Sequence, residues 1–328
     1  MSSVARTLML TLFMQLVMPG QNLLHAQPVH KFESITTAQG LSQNFVQSVF
    51  CDDKGFLWFG TWDGLNRYDG RQFKVFKVNP TQKNSLTNSR IINIWQDQQN
   101  TLWVKTNDGY IHYFIEETYE FITYPYYLKS LEERNSTITC FVESKKQEVL
   151  LGSSNSGMYY LTYDEASGRY RERQYLNRGE STISDNSITF IITDEHDDIW
   201  IGTKRGLNNI SQVELSKESP SFSNYWLEHH FTAAYQLDSM LLFGTKGDGI
   251  KTYESNIKRF DPYPNLFTQL ADKSIMIIES PSKGMLLIGT EHHGLFVYDL
   301  NKNELSVNLL RDKTIRKVYK DAFGEIWL

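Results

Sequence analysis

The chain has 328 residues, long enough for a large core, and sets 33 Lys and Arg against 38 Asp and Glu. The resulting net charge of -5 supplies no basic field for nucleic acid. There is no Lys/Arg run, and with only Cys51 and Cys140 there is no zinc-type spacing.

The first residues read as a secretory signal. Arg6 gives the positive start, Leu8 to Met18 is almost wholly apolar, and Pro19-Gly20 breaks the run. Ala26 is a plausible cleavage position before Gln27, which gives a signal peptide over 1–26 and a mature domain over 27–328. An uncleaved anchor is the alternative, but the apolar run is short for a bilayer. Export would permit disulfides. Cys51 and Cys140, however, fall on first strands of repeats that are not neighbours, and a bridge needs Cα atoms within about 7 Å. Two free, largely buried thiols are expected. Cys51 is not at the cleavage site, so it supports no lipid anchor.

The first repeat follows. Phe45 to Phe50 is a β-branched and aromatic run, read as a strand. Asp52-Asp53-Lys54-Gly55 opens a turn with Asp and closes it with Gly, which suits a left-handed last residue. Asn100 and Asp197 stand in the Gly55 slot of later copies, and Asn and Asp best tolerate that region after Gly. Phe56 to Thr61 is the second strand, Leu65 to Tyr68 the third and Gln72 to Lys77 the fourth, with Trp62-Asp63-Gly64 and Asp69-Gly70 as turns. The core of this unit, Leu57-Trp58-Phe59-Gly60-Thr61, returns as Ile199-Trp200-Ile201-Gly202-Thr203 and Leu286-Leu287-Ile288-Gly289-Thr290. Weaker copies lie at Leu102 to Thr106, Val149 to Ser153 and Leu241 to Thr245, and Glu325 to Leu328 begins another.

A period of roughly 40–50 residues marks a repeat architecture. A four-stranded meander cannot cover both faces alone, and stacking meanders around an axis does so, giving an all-β propeller. First strands are expected near Phe45, Ile91, Ile138, Ile188, Phe231, Ile275 and Ile315, about seven four-stranded blades with the last one cut short. The segment His30 to Ile35 reads as the outer strand of that last blade. Trp58, Trp103, Trp200 and Trp327 read as packing between blades, with Leu150, Leu242 and Leu287 in the same slot elsewhere. Gly60, Gly202, Gly244 and Gly289 imply close backbone approach. Lys105 departs from that rule, so the second blade is expected to be locally irregular.

These residues resemble a known family. Gly40-Leu41-Ser42-Gln43-Asn44, then Asp53 to Thr61, then Asp63-Gly64-Leu65-Asn66-Arg67-Tyr68-Asp69-Gly70, is similar to the two-component regulator propeller repeat. The connectors Asn84 to Ser89 and Ser184 to Ile188 resemble that family's blade linkers. The resemblance covers the mature chain and is strongest in the first and fourth copies. It implies a periplasmic sensor region of a hybrid histidine kinase, as in Bacteroidetes. There the propeller leads to a small β-sandwich, a membrane helix and a kinase, and many such sensors respond to oligosaccharides. No phosphoacceptor region, ATP-binding Gly-rich segment or second apolar span is in this sequence, which reads as a fragment. The implied partners are an oligosaccharide or other small periplasmic ligand and a second copy through the full-length protein. No nucleic acid partner, and no membrane insertion after signal cleavage, is expected.

Ligand contacts are expected from loops on one propeller face. Those loops carry Trp62, Asp63, Asn107, Asp108, Asn155, Arg205, Lys246, Asp248, His292 and His293, with Lys204 and Glu291 beside them. Aromatic, amide, acid and base groups together suit a sugar, which takes stacking and bidentate hydrogen bonds. Singly, each residue is also explained as a solvated turn residue. Trp62 stands out because a Trp at a turn has no evident core role. The pairs His229-His230 and His292-His293 are poor chelates, since adjacent strand residues point to opposite faces. The acid pairs Asp52-Asp53 and Asp197-Asp198 are explained by their turns. No hydrolase, zincin or P-loop motif is present, so no catalytic residue, metal or cofactor is assigned. Two alternatives to a sensor stay open: a periplasmic propeller lyase or glycosidase, and a protein-interaction scaffold.

Overall fold

The computed structural model describes residues 33–96, 100–123, 136–143, 148–164, 169–262, 267–320 and 326–328. The expected signal segment and the first part of the expected strand at His30 to Ile35 lie outside these, and Glu33 to Ile35 form no strand. The chain divides after Ile35, and the architecture below is that of Thr36–Leu328.

Six antiparallel meanders follow one another, each a four-stranded sheet paired in sequence order. Blade 1 comprises Val46–Cys51, Leu57–Thr61, Gly64–Tyr68 and Phe73–Phe76; blade 2 comprises Ile91–Gln96, Leu102–Thr106, Ile111–Ile115 and Glu120–Thr123. Blade 3 comprises Ile138–Glu143, Val149–Ser153, Met158–Asp164 and Arg169–Tyr175; blade 4 comprises Ile188–Thr193, Asp198–Thr203, Gly206–Ser211 and Ser223–Tyr225. Blade 5 comprises Phe231–Leu237, Met240–Thr245, Ile250–Glu254 and Arg259–Phe260; blade 6 comprises Ile275–Ser282, Met285–Thr290, Leu295–Asp299 and Glu304–Leu309. A two-stranded sheet, Tyr319–Lys320 with Ile326–Trp327, comes last. Of the expected seven blades, the last one cut short, six are present as four-stranded sheets, and two strands stand in the seventh position among the described residues. There the first strand begins at Tyr319 rather than near Ile315.

The core is a set of layers between neighbours. Trp58 and Leu65 of blade 1 pack with Ile91, Ile94 and Val104 of blade 2; Trp200 and Leu207 of blade 4 pack with Phe231, Leu241 and Phe243 of blade 5. The two-stranded sheet joins the same scheme from both sides. Ile315 and Val318 pack on Leu287 and Leu295 of blade 6, and Trp327 lies 5.7 Å from Phe59 and 6.2 Å from Tyr68 of blade 1 between ring centroids. The Trp slot thus serves inter-blade packing, as expected. Trp58 and Trp200 are each 1% exposed. Cys51 and Cys140 are free, Cys51 buried and Cys140 partly so.

The repeat motif is explained by three local devices. The first is the turn after the first strand. Asp52 accepts from the backbone N–H of Lys54 and Phe56 with one oxygen and from the Trp58 indole at 2.8 Å with the other. Asp194 does the same for His196, Asp198 and Trp200. One carboxylate thereby fixes both the turn and the rotamer of the packing Trp. Gly55, Asn100 and Asp197 hold φ of +85°, +63° and +60°, the left-handed shape that the sequence pattern indicated.

The second device is the glycine two residues after the Trp slot. A Cβ on Gly60 would lie 2.7 Å from Cγ2 of Ile91 in the next blade, and one on Gly244 would lie 2.7 Å from Cγ2 of Ile275. Lys105 occupies this slot in blade 2, yet the blade keeps the register of the others, with Ile91 opposite Thr106 and Asn93 opposite Lys105. The irregularity expected there lies outside the blade's own register: the first strand of blade 3 does not pack on blade 2 as closely as the first strands of blades 2, 4, 5 and 6 pack on the blades before them. Lys105 is 1% exposed and its ammonium donates to the Ile138 carbonyl of blade 3. Burial lowers its pKa to about 8.

The third device is a buried polar cluster. Asn66 accepts from the Ser42 backbone N–H at 2.8 Å and donates to the Phe59 carbonyl at 3.1 Å, while the Ser42 and Thr61 hydroxyls meet at 2.9 Å. Ser184, Thr203 and Asn208 repeat this in blade 4. In blade 2 His112 holds the Asn slot, 3.0 Å from Thr87 and 0% exposed, and burial lowers its pKa to about 4.

Two outcomes follow from this packing. Gly289→Ala places a Cβ 2.8 Å from the Ile315 carbonyl oxygen; it should lower stability by about 2 kcal/mol, read by urea unfolding. His112, with its folded pKa depressed from the ordinary imidazole value of 6.5 to about 4, binds protons more readily unfolded. Stability should therefore fall as pH drops from about 6.5 towards about 4, by roughly 1 kcal/mol per pH unit. His112→Asn, the residue of blades 1 and 4, should remove that part of the slope, read by urea midpoints across the same range.

Candidate functional site at the channel mouth

From blade 1 to blade 2, and again from blade 3 through blade 6, the first strands of successive blades lie close to one another, so they line the axis. One end of each blade is set by a recurring backbone bond. The residue after the second strand donates its N–H to the carbonyl just before the first strand: Asn107 to Arg90 at 2.9 Å, Ser154 to Thr137 at 2.8 Å, Lys204 to Ser187 at 3.2 Å, Lys246 to His230 at 2.8 Å and Glu291 to Ser274 at 2.9 Å. Blade 1 brings Phe45 and Trp62 together at the same place, ring centroids 4.4 Å apart. Every blade thus presents two side chains to the same rim.

A third comes from a bulge. In each first strand one residue is left over against the second strand: Ile188 faces Thr203 and Phe190 faces Gly202, so Thr189 is the extra residue. Thr139, Thr232 and Met276 are its counterparts in blades 3, 5 and 6. A bulge re-aims the extra side chain, and all four line a cavity of about 390 Å³. Ser154, Ser187, Lys204, His230, Lys246 and Glu291 complete its polar wall. The cavity is therefore the mouth of the channel over blades 3 to 6.

The hydroxyls differ in what they do. Thr139 donates to the Ile188 carbonyl at 2.8 Å and Thr232 to the Ile275 carbonyl at 2.5 Å, tying neighbouring blades. The Thr189 hydroxyl is buried and has no partner among the described residues. His230 is half-buried. Burial lowers its pKa, as do the ammonium groups of Lys246 and Lys204, against a smaller opposing effect of Asp185.

Of the residues singled out from the sequence, the cavity wall contains Lys246, with Lys204 and Glu291 beside it. Trp62 and Asn107 hold the equivalent rim slots of blades 1 and 2. Trp62 is 45% exposed, and the Arg90 guanidinium lies 4.5 Å above its ring. The remainder sit one or two residues further along the turns and do not line the cavity. Asp63 pairs with Lys77 at 2.6 Å and Arg205 with Glu228 at 2.7 Å. Asp108 accepts from the Thr106 hydroxyl, and the Asn155 backbone N–H donates to the Ser136 hydroxyl. Asp248 lies 4.0 Å from His229, His292 contacts Thr314, and His293 lies 2.9 Å from the Glu291 carbonyl. Among the described residues no group of three or more His, Cys, Asp or Glu forms a metal site. Sequence reasoning missed the bulge residues. Their signal is a Thr or Met directly after the buried Ile or Phe that opens the first strand in blades 3 to 6.

Residues 40–63 match the model of the two component regulator propeller family. A stretch of 56 residues is 45% identical to histidine kinase P4 of Formosa agariphila, spanning 17% of this chain and 4% of that protein. The extracellular domain of the putative hybrid two component system BT3049 from B. thetaiotaomicron superposes with a TM-score of 0.69 at 24% identity, over 90% of this chain and 40% of that chain. PorZ, a surface component of the type-IX secretion system of Porphyromonas gingivalis, superposes with a TM-score of 0.55 at 13% identity, over 81% of this chain and 46% of that one. These likenesses to solved structures establish the propeller fold, and the chain spans less than half the length of each of these proteins. Among the described residues no helix is long and apolar enough to cross a membrane.

Proposed function

We propose that this chain, whose first repeat is a two-component regulator propeller repeat, is the exported, ligand-sensing propeller of a hybrid histidine kinase and binds an oligosaccharide at the channel mouth. The observation that carries this reading is the concave rim itself, where backbone-anchored slots from successive blades hold out polar side chains. A sugar takes convergent hydrogen-bonding groups and a stacking surface. Thr189, Lys204 and Lys246 offer the former. Trp62, with Phe45 at its side, offers the latter.

The propeller acts here as a receptor rather than an enzyme. Hydrolysis of a glycosidic bond uses two carboxyls across the sugar, and Glu291 is the one acid among the described cavity residues. Signalling then follows from differential affinity: a ligand spanning several blades favours one arrangement of the propeller against the rest of the full-length protein. That bias would be passed to a dimeric kinase in the periplasmic-to-cytoplasmic direction.

The test is a glycan array on the purified chain, followed by calorimetry of each hit. An oligosaccharide should bind, and Trp62→Ala should weaken it about tenfold or more while leaving the melting temperature in place. Unchanged affinity would remove Trp62 from the site; silence across the array would remove the carbohydrate reading.

A further inference from the structure

We infer that the ligand of the channel mouth carries an anionic group, a carboxylate or sulfate ester on a sugar, seated between Lys204 and Lys246. This rests on the sensing reading above and narrows it to acidic oligosaccharides.

Lys204 and Lys246 hold the same rim slot in adjacent blades, and the N–H of each is bonded to the carbonyl before its own first strand. Their backbones are fixed while their side chains are exposed. Among the described residues neither ammonium has an ion-pair partner, whereas Asp63 and Arg205, one residue further along equivalent turns, are both paired. Both ammonium groups act on His230 from the same wall, so an anion seated there meets two cations at once. Among the described residues the cavity wall carries these two lysines against Glu291, with Asp185 behind His230. It is positive on a chain whose net charge is -5. A negative protein with a positive concavity directs anions to that concavity.

The floor agrees. Among the described residues the buried Thr189 hydroxyl has no partner, whereas its counterparts Thr139 and Thr232 are bonded to the next blade. A carboxylate or sulfate oxygen would supply the missing acceptor. His230 stands on the same wall, facing Lys246, Lys204 and Asp185, and its proton is disfavoured in the free protein. An anion beside it reverses that preference, so binding should strengthen as pH falls.

Calorimetry on the purified chain decides the matter with four probes: tetragalacturonate, a chondroitin sulfate tetrasaccharide, neutral xylotetraose and inorganic sulfate. At least one acidic oligosaccharide should bind, more weakly as salt rises from about 50 to about 200 mM. Lys204→Met and Lys246→Met should each cost about tenfold in affinity, and Lys204→Arg less than about threefold. Affinity should rise between about pH 7.5 and pH 5.5, and His230→Gln should flatten that rise. Both lysines are exposed, so thermal melts of the variants should match the parent. Xylotetraose binding as tightly as the acidic sugars, or acidic binding indifferent to both lysine substitutions, would overturn the inference and leave the sensing reading standing. Sulfate alone binding as tightly as the sugars would overturn it as a sugar site. Binding of no oligosaccharide would overturn both readings.

Discussion

The structure depends on how closely one blade's first strand approaches the second strand of the blade before it. Ile91 lies on Gly60 and Ile275 on Gly244, with no room for a methyl group between them. A sheet can receive its neighbour at that distance only where it lacks a side chain. The same contact recurs where Gly289 meets Ile315, just before the two-stranded sheet. That sheet therefore takes its place by the same packing that seats complete blades, and its Trp327 reaches blade 1 as Trp58 reaches blade 2. Stability of this kind is a chain of nearest-neighbour terms, so one intruding methyl weakens a layer rather than a single contact.

Much of this was legible in the residues. The four-stranded unit, the left-handed slot at Gly55, Asn100 and Asp197, and the packing role of the Trp series all follow from short-range chemistry that repeats. Less legible was why Asp52 and Asn66 recur as Asp194 and Asn208. Both are polar and read as turn or surface residues. The structure buries Asn66 and Asn208 completely and gives Asp52 and Asp194 to an indole six positions on. A buried polar group must find partners, and these found theirs across turns that no linear pattern brings together. Blade 2 shows the slot is defined by hydrogen bonding and size rather than identity, since His112 fills it.

The site was legible in part. The turns after the second strand were the right region, because repetition puts them on one face. Which residue of each turn faces the axis depends on the backbone bond to the carbonyl before the first strand, and this selects Lys204 over Arg205 and Glu291 over His292. The bulge residues could not be reached by period-2 reasoning. A bulge inserts one residue and reverses the alternation beyond it, so Thr139, Thr189 and Thr232 look like strand residues of no particular face.

The repeats that match the family pattern best are not those that build the cavity alone. Blades 1 and 4 carry the full motif, yet the wall also draws on blades 3, 5 and 6, where the motif is weaker. This is what a division of labour within one repeat would produce. The motif positions answer to packing and to buried hydrogen bonds, which are the same problem in every blade. The rim slot answers to neither: its backbone is held by one bond and its side chain touches no core. It holds Trp62, Asn107, Ser154, Lys204, Lys246 and Glu291 in successive blades, six side chains of five chemical classes. A position that is geometrically fixed but energetically free of the fold is where a propeller can change its ligand without changing its shape. Specificity is therefore to be sought where the repeats disagree, not where they agree.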